Sequence, residues 1–253
     1  MNDGTIRCAP HHVLCVLTAD TDLAAIGQLG EKFAFRLDTD YSRYEPAPEM
    51  REAFAGCADG TFTDADHAAV AAHRAVAYLT SGRFLPPELT TEISGNALTL
   101  TGALFDAGAL AVKHESSVVA RGRDRWRELA AAGDPVAQRE AWVRLPLRDG
   151  DVLYTCGMHL LGQPDVEVEH DGDPTRIGEW VELMETLADY VLTEERAAEM
   201  APGQGFRLAP DEPRWVLDRT GCDRYDEDDL SHNPYGYWRL REDDPAGTGP
   251  SRD

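Results

Sequence analysis

The chain has 253 residues, of which 42% are hydrophobic and 8% aromatic, enough apolar material for one large or two small globular domains. Its 46 acidic and 24 basic residues leave a formal net charge of −22. This charge repels nucleic-acid backbones and anionic membranes, so it argues against direct binding to either and favours a basic protein partner. The alternative is a solvated surface that serves solubility alone.

The sequence shows no targeting segment and no cofactor motif. Residues 1–10 lack the basic and then apolar pattern of a signal peptide, and no apolar run approaches the about 20 residues that cross a bilayer. The five cysteines contain no C-x-x-C pair, and no glycine-rich phosphate loop occurs. We therefore expect a cytoplasmic, reduced protein without a cofactor.

The first half of the chain alternates short apolar runs with capped helical segments. The apolar run 12–18 predicts a buried strand, and Thr21 or Asp22 would then cap a helix that ends near Phe33. Further predicted features are an exposed loop at 38–50, a helix from Thr63, a strand at 75–80, a break at Pro86–Pro87, a helix at 89–107, a strand at 109–114 and a helix at 121–132 that ends at Gly133.

The second half begins with a predicted hairpin and contains one clear amphipathic helix. Asp173 and Pro174 are typical of a helix start, and Trp180, Met184 and Leu187 then form an apolar stripe that should pack onto a sheet. The other predicted elements are strands at 142–147, 151–159, 165–169, 214–217 and 237–240.

Strands and helices interleave without strict alternation, and no repeat or long linker divides the chain. We therefore predict an α+β fold, with a mixed, mainly antiparallel sheet packed by helices in a single domain over residues 1–241. Residues 242–253 offer little apolar surface to bury, which predicts a disordered tail. The sequence sets no oligomeric state.

The segment 154–169 reads as a strand, a turn punctuated by glycine and proline, and an alternating strand. Gly157 and Gly162 should mark a backbone conformation or close approach that a β-carbon would obstruct. Residues 157–168, GMHLLGQPDVEV, resemble the signature of an uncharacterised bacterial family, domain of unknown function 4261. The likeness extends over about 11–210. It implies a bacterial protein with that family's fold and supplies no established catalytic residue.

One possible chemical site combines residues from two predicted strands. His114 and Glu115 end one strand, and Cys156 and His159 lie on another. If the strands were neighbours, these four side chains could approach tetrahedral metal geometry, so a small metal-dependent hydrolase using His114, Glu115 and His159 is the alternative function. However, Cys156 and His159 are separated by an odd number of residues and would point to opposite faces of a strand. Buried structural roles explain them more simply, and no metal site is predicted.

Two clusters of acidic residues could instead contact a partner protein. Asp165, Glu167 and Glu169 alternate with valines, so their carboxylates should face one side of a strand, either solvated or bound to a basic partner or divalent cation. We therefore favour a non-catalytic acidic interaction protein, of an immunity or regulatory type, for a basic protein partner. The candidate contact residues are Asp165, Glu167, Glu169, Asp226, Glu227, Asp228 and Asp229.

Overall fold

The computed structural model of the chain describes residues 11–82 and 89–243. The strands are β1 (Val13–Thr18), β2 (Arg36–Arg43), β3 (Ala75–Thr80), β4 (Ala109–His114), β5 (Val119–Ala120), β6 (Arg144–Asp149), β7 (Val152–Cys156), β8 (Asp165–Glu169), β9 (Gly205–Phe206), β10 (Trp215–Thr220) and β11 (Tyr237–Glu242). The α-helices are α1 (Leu23–Glu31), α2 (Met50–Ala55), α3 (Asp64–Ala71), α4 (Thr90–Asp106), α5 (Arg123–Ala132), α6 (Pro135–Trp142) and α7 (Ile177–Thr193). Short 3-10 helices cover Met158–Leu161, Pro174–Arg176 and Glu195–Glu199.

The first sheet has the order β2-β3-β1-β4-β5, and its neighbouring strands are antiparallel. Its first four strands, with α1 and α4, follow the β-α-β-β-α-β order of a split βαβ, ferredoxin-like unit. Side chains alternate along β1, so Leu14 and Val16 join the core formed with α1 and α4. Cys15 and Leu17 point to the other face, which α2 and α3 cover. Both faces of this sheet are therefore buried.

The second sheet has the order β6-β7-β8-β11-β10-β9. The β8–β11 pair is parallel, and the other neighbouring pairs are antiparallel. Helix α7 packs on this sheet through Trp180, Met184 and Leu187, whose relative exposures are 1%, 0% and 0%. The predicted apolar stripe of α7 is confirmed.

One hydrophobic core joins the two sheets. It includes Val16 from the first sheet, Val168 and Leu240 from the second, and Leu98 and Leu187 from the helices. The α+β class and the mainly antiparallel pairing are confirmed, although the strands form two sheets and not one. Within the residues that the structure describes, no helix is long and apolar enough to cross a membrane.

Two predictions of local structure were wrong. The expected loop at 38–50 contains most of β2, an edge strand with β3 as its neighbour, and its largely exposed side chains hide the alternation that marks a strand. Helix α6 was missed, although the Asp134 side chain caps it and Pro135 occupies its first turn. The same combination of a capping aspartate followed by proline correctly predicted the helix start at Asp173 and Pro174.

The first two residues of the predicted tail, Glu242 and Asp243, have defined contacts in the structure. Glu242 belongs to β11 and accepts from Arg176 at 3.0 Å, and Asp243 pairs with Arg214. The prediction of disorder is wrong for these two residues. Residues 244–253 and the break at Pro86–Pro87 lie outside the described residues.

The burial of Trp180 gives a stability prediction. Replacing Trp180 with Ala should lower the free energy of unfolding by about 3–5 kcal/mol, because the change leaves a cavity in the core. Replacing Glu182, which is exposed on the same helix, should change it by less than about 0.5 kcal/mol. Urea unfolding of both variants measures the difference, and equal effects would contradict the packing of α7.

Candidate functional site

Gly157 turns the chain sharply at the end of β7. Its φ of 131° lies where glycine is favoured, and a β-carbon there would overlap the backbone carbonyl oxygen of Trp142. Gly162, with a φ of 71°, ends the 3-10 helix that follows. The predicted backbone constraint is therefore confirmed at Gly157, which lets this 3-10 helix pack against the end of α6. The strand expected at 151–159 is wrong beyond Cys156, where β7 ends.

A chain of buried hydrogen bonds joins the first sheet to that 3-10 helix. His114 Nδ1 lies 2.8 Å from Ser117 Oγ, and its Nε2 lies 3.0 Å from His12 Nδ1. His12 Nε2 lies 2.8 Å from Ser94 Oγ, which donates to the Leu160 carbonyl oxygen at 2.5 Å. These four side chains are at most 1% exposed. We call this set, Ser117, His114, His12, Ser94 and the Leu160 carbonyl, the histidine relay.

The final acceptor sets the direction of every bond in the histidine relay. Because Ser94 donates its proton to Leu160, its oxygen must accept from His12 Nε2–H. His12 Nδ1 is then the acceptor for His114 Nε2–H, and His114 Nδ1 accepts from the Ser117 hydroxyl. Both imidazoles are neutral in this arrangement, and each of their ring nitrogens has a partner.

Burial keeps these histidines uncharged. It lowers the pKa of His12 from 6.5 to about 3 and, with His12 as a neighbour, lowers the pKa of His114 well below its ordinary value. The ring centroid of Trp142 lies 5.1 Å from that of His12 and 4.8 Å from that of His114. The histidine relay thus packs against the Trp142 ring, and all of its hydrogen bonds are to other protein groups.

The four residues of the alternative metal site do not assemble. Glu115 follows His114 directly and points to the other side of the first sheet, where it pairs with Lys113 at 2.9 Å. Cys156 Sγ lies 3.9 Å from the Ser231 carbonyl oxygen. Among residues 11–82 and 89–243, no three His, Cys, Asp or Glu side chains could hold a metal ion. The possibility that these four residues converge on a metal ion is therefore wrong.

His159 lies in the 3-10 helix after Gly157 and is fully buried. Its Nε2–H donates to the Leu230 carbonyl oxygen at 3.1 Å, and burial lowers its pKa to about 4. Because Gly157 bends the chain, His159 and Cys156 reach adjacent residues of one segment, Leu230 and Ser231. The expectation that they point to opposite faces is wrong for this reason.

Asp165 is buried at the start of β8, where it accepts hydrogen bonds. Its oxygens accept from Thr155 Oγ1 at 2.8 Å, from the Met158 amide at 3.2 Å and from Asn233 Nδ2 at 2.6 Å. Burial raises the pKa of Asp165 to about 7, although these donors favour the ionised form. Asn233 also donates to the Gln163 carbonyl oxygen, so Asp165 and Gln163 together hold the segment before β11 against the turn between β7 and β8.

Glu167 is fully buried beneath two arginines. It accepts from Arg224 Nη1 at 2.7 Å, from Arg239 Nε at 2.5 Å and from Thr220 Oγ1 at 2.9 Å. Glu169 alone of the three β8 carboxylates is exposed, at 3.4 Å from Arg239. The expected exposed row is therefore wrong for Asp165 and Glu167. The alternation was right, but the Arg239 side chain of β11 and the β10–β11 connection cover that face.

The β10–β11 connection, residues 221–236, carries the second acidic group. Asp226, Glu227, Asp228 and Asp229 are exposed, and we call these four residues the acidic loop. Before the acidic loop, Arg224 binds Glu167, and the Tyr225 hydroxyl lies 3.2 Å from that of Tyr154. After the loop, Leu230 accepts from His159 and Asn233 binds Asp165. Buried residues therefore hold both ends of the acidic loop.

Sequence reasoning missed the residues that complete these contacts. His12 and Ser94 were read only as parts of an apolar strand and a helix, and Arg224 and Asn233 lie in a region treated as a loop. The Asn233–Gly236 run was a usable signal, because Asn-Pro and glycine mark a turn. Gly236 does have a φ of 68°. No pattern in the sequence pairs these residues with their distant partners.

A polar cleft of about 540 Å³ lies between the edges of the two sheets, lined by residues of β5, β6, α6 and α7. His114, Glu115, Cys156 and His159 do not line it. Two of its arginines are neutralised, since Arg121 pairs with Asp59 and Arg139 with Asp189.

Gly157 provides a second stability prediction. Replacing Gly157 with Ala should destabilise the fold strongly, by about 3 kcal/mol or more, because the new methyl group meets rigid backbone and the conformation is unfavourable. Gly178 is the matched control, since it lies in α7 with open space at its β-carbon position. Thermal and urea unfolding of the two variants measure this, and a neutral Gly157→Ala variant would contradict the close approach.

The buried histidines predict a loss of stability in acid. His12, His114 and His159 have lowered pKa values in the folded protein, so the unfolded chain takes up protons first below pH 6.5. The free energy of unfolding should fall as the pH drops from about 6.5 toward 4, by up to about 1.4 kcal/mol per pH unit for each histidine.

Asp165 opposes this trend, because its pKa is raised from 3.8 to about 7 and the folded protein takes up that proton first. The three histidines outweigh it, so net destabilisation is expected. Urea unfolding between about pH 7 and about pH 5 measures the slope. In the Asp165→Asn variant the free energy of unfolding should fall more steeply as the pH drops. A flat profile for the unmodified chain would contradict neutral, buried histidines.

No protein-family model, curated protein or solved structure matches this chain. The likeness of residues 157–168 to domain of unknown function 4261 therefore stays a prediction. The part played by this signature in the molecule is nevertheless clear from its contacts, because it carries Gly157, His159, Asp165 and Glu167 to the positions described above.

Proposed function

We propose that the protein is a non-catalytic binding protein that recognises a basic protein partner through the acidic loop. The observation that carries the proposal is the way the acidic loop is held. Its four carboxylates are exposed, while buried side chains bind the segments before and after it. A binding surface on an anchored segment needs less ordering when a partner arrives.

The buried carboxylates that hold the two ends of the acidic loop cost free energy to bury, which supports a purpose beyond solubility. Glu167 is a fully buried carboxylate that pairs with Arg224 and Arg239, and Asp165 is a buried carboxylate without a cation beside it. Burying such groups has a large desolvation penalty, and apolar residues could fill the same space. A solvated loop with no function would not require this support.

Charge supplies the recognition in this proposal. The net charge of −22 draws a basic partner toward the molecule from a distance, and the acidic loop concentrates four carboxylates at one place. The same charge repels nucleic acids and anionic membranes. The proposed role is to neutralise or regulate a basic protein in the bacterial cytoplasm.

The alternative, a metal-dependent hydrolase, has no observation in its favour among the described residues. His114 and His159 are fully buried. Both ring nitrogens of His114 bond within the histidine relay, and His159 Nε2 bonds the Leu230 carbonyl oxygen, while His159 Nδ1 has no partner among the described residues. Glu115 lies on the other side of the sheet beside Lys113. A general base must lie within reach of its substrate, and His114 and His159 are closed off from solvent.

Charge reversal tests the proposal. The variant carries Lys at Asp226, Glu227 and Asp228, and it keeps Asp229 because that carboxylate accepts from the Ser231 amide at 2.7 Å. A control carries Lys at three exposed glutamates elsewhere, Glu182, Glu195 and Glu199, so its net charge is the same. Basic proteins captured from a bacterial lysate by the unmodified chain, and identified by mass spectrometry, should be retained by the control and lost by the loop variant.

Association kinetics with a captured protein then give the magnitude. The loop variant should associate about tenfold more slowly than the control at low salt. The difference should vanish near about 1 M salt, where charges are screened beyond about 3 Å. Equal rates for the two variants at low salt, with both folded by circular dichroism, would overturn the role of the acidic loop.

A further inference from the structure

A small pocket lies beside the beginning of α7 and is separate from the acidic loop. Its volume is about 220 Å³. Residues of the β6–β7 hairpin, of the turn after β8 and of the first turns of α7 line it, and most of its wall is apolar. Ile177 stands at this pocket with 40% of its surface exposed, and Trp180 is buried.

Two ring nitrogens of the pocket residues have no hydrogen-bond partner among the described residues. They are Trp180 Nε1 and His170 Nε2, both buried, on rings whose centroids lie 5.1 Å apart. The Gly172 amide donates to His170 Nδ1 at 3.0 Å, so the neutral imidazole carries its proton on Nε2. Both unpaired groups are therefore N–H donors.

Unpaired buried donors are rare in folded proteins, and each one calls for an explanation. Trp180 and His170, which both line this pocket, each carry one. The carboxylate of Asp173, which also lines the pocket, accepts from the Thr175 amide at 2.9 Å and from its hydroxyl at 2.8 Å. Two residues that line the pocket therefore carry buried donors without an acceptor among the described residues.

One positively charged side chain, Arg148, lines the same pocket. A second guanidinium, that of Arg176, lies 5.3 Å from the ring centroid of Trp180, but it already pairs with Asp171, Glu179 and Glu242. Arg148 lines the pocket and donates to the Gly150 carbonyl oxygen at 3.2 Å, and no carboxylate of the described residues lies within ion-pair distance of it. An unpaired guanidinium beside two N–H donors favours an anionic ligand.

We propose that this pocket binds a small monocarboxylate with an apolar body, such as an aromatic or branched aliphatic acid. The carboxylate oxygens accept from Trp180 and His170, and Arg148 supplies the opposing charge. Leu153 and Ile177 contact the apolar body. The volume suits a ligand of about ten non-hydrogen atoms, since larger ligands occupy pockets above about 300 Å³. The proposal does not depend on the function of the acidic loop.

Benzoate is the probe, and the indole N–H of Trp180 is the reporter. The chain has five tryptophans, so nitrogen-15 NMR gives few indole signals, and Trp180→Phe assigns the relevant one. Titration with benzoate should move the Trp180 signal to a saturating shift. Benzyl alcohol, which has the same ring without the carboxylate, should leave that signal unchanged.

Two substitutions test the charge and the imidazole donor. Arg148→Gln should weaken benzoate binding by about tenfold, because it removes a charge-assisted contact. Arg51→Gln, at an exposed arginine outside the pocket, is the control and should bind as the unmodified chain does. His170→Phe keeps an aromatic ring beside Trp180 and should also weaken binding.

A Trp180 signal that benzoate does not move would overturn the proposal. So would an equal response to benzyl alcohol, or equal benzoate affinity in Arg148→Gln and Arg51→Gln. Arg148 is exposed and makes a single backbone hydrogen bond, so its replacement leaves the fold intact. These outcomes are independent of the charge-reversal experiment on the acidic loop.

Discussion

The close approach of Gly157 to the backbone of Trp142 is the constraint on which the other polar contacts depend. Only a residue without a β-carbon fits there, and the approach sets the position of the 3-10 helix Met158–Leu161. That helix provides the Leu160 carbonyl that ends the histidine relay and the His159 side chain that holds the β10–β11 connection. One tight backbone contact therefore positions an internal network and a surface segment together.

The polar interior of this protein serves to specify structure. The histidine relay ties the first sheet to the element that follows β7, and Asp165 and Glu167 tie β8 to the β10–β11 connection. Each contact joins residues far apart in sequence. A buried polar group that loses its partner is costly, so these contacts penalise other arrangements of the two sheets. Histidine and carboxylate side chains, which are common catalytic groups, here form hydrogen bonds and ion pairs between distant parts of the fold.

Local patterns were reliable where a residue's neighbours in sequence decide its structure. The spacing of apolar residues predicts the β1 strand and the apolar stripe of α7. Side-chain capping predicts the helix start at Thr63, and the lack of a β-carbon explains the backbone conformation at Gly157. The errors arose where signals were weak or left unused. Edge strand β2 lacks an apolar face, and the cap and proline of α6 were read only as the end of α5.

The sequence by itself determined the α+β class, most element positions, the acidic surface and the special backbone role of Gly157. Tertiary structure alone decided which side of each strand is covered and which polar groups meet. Glu115 and His114 diverge because they are consecutive on one sheet, and Asp165 and Glu167 are buried because a distant segment lies over them. Side-chain alternation is a local property of the chain, whereas burial depends on what packs against each face, and that partner comes from elsewhere in the sequence.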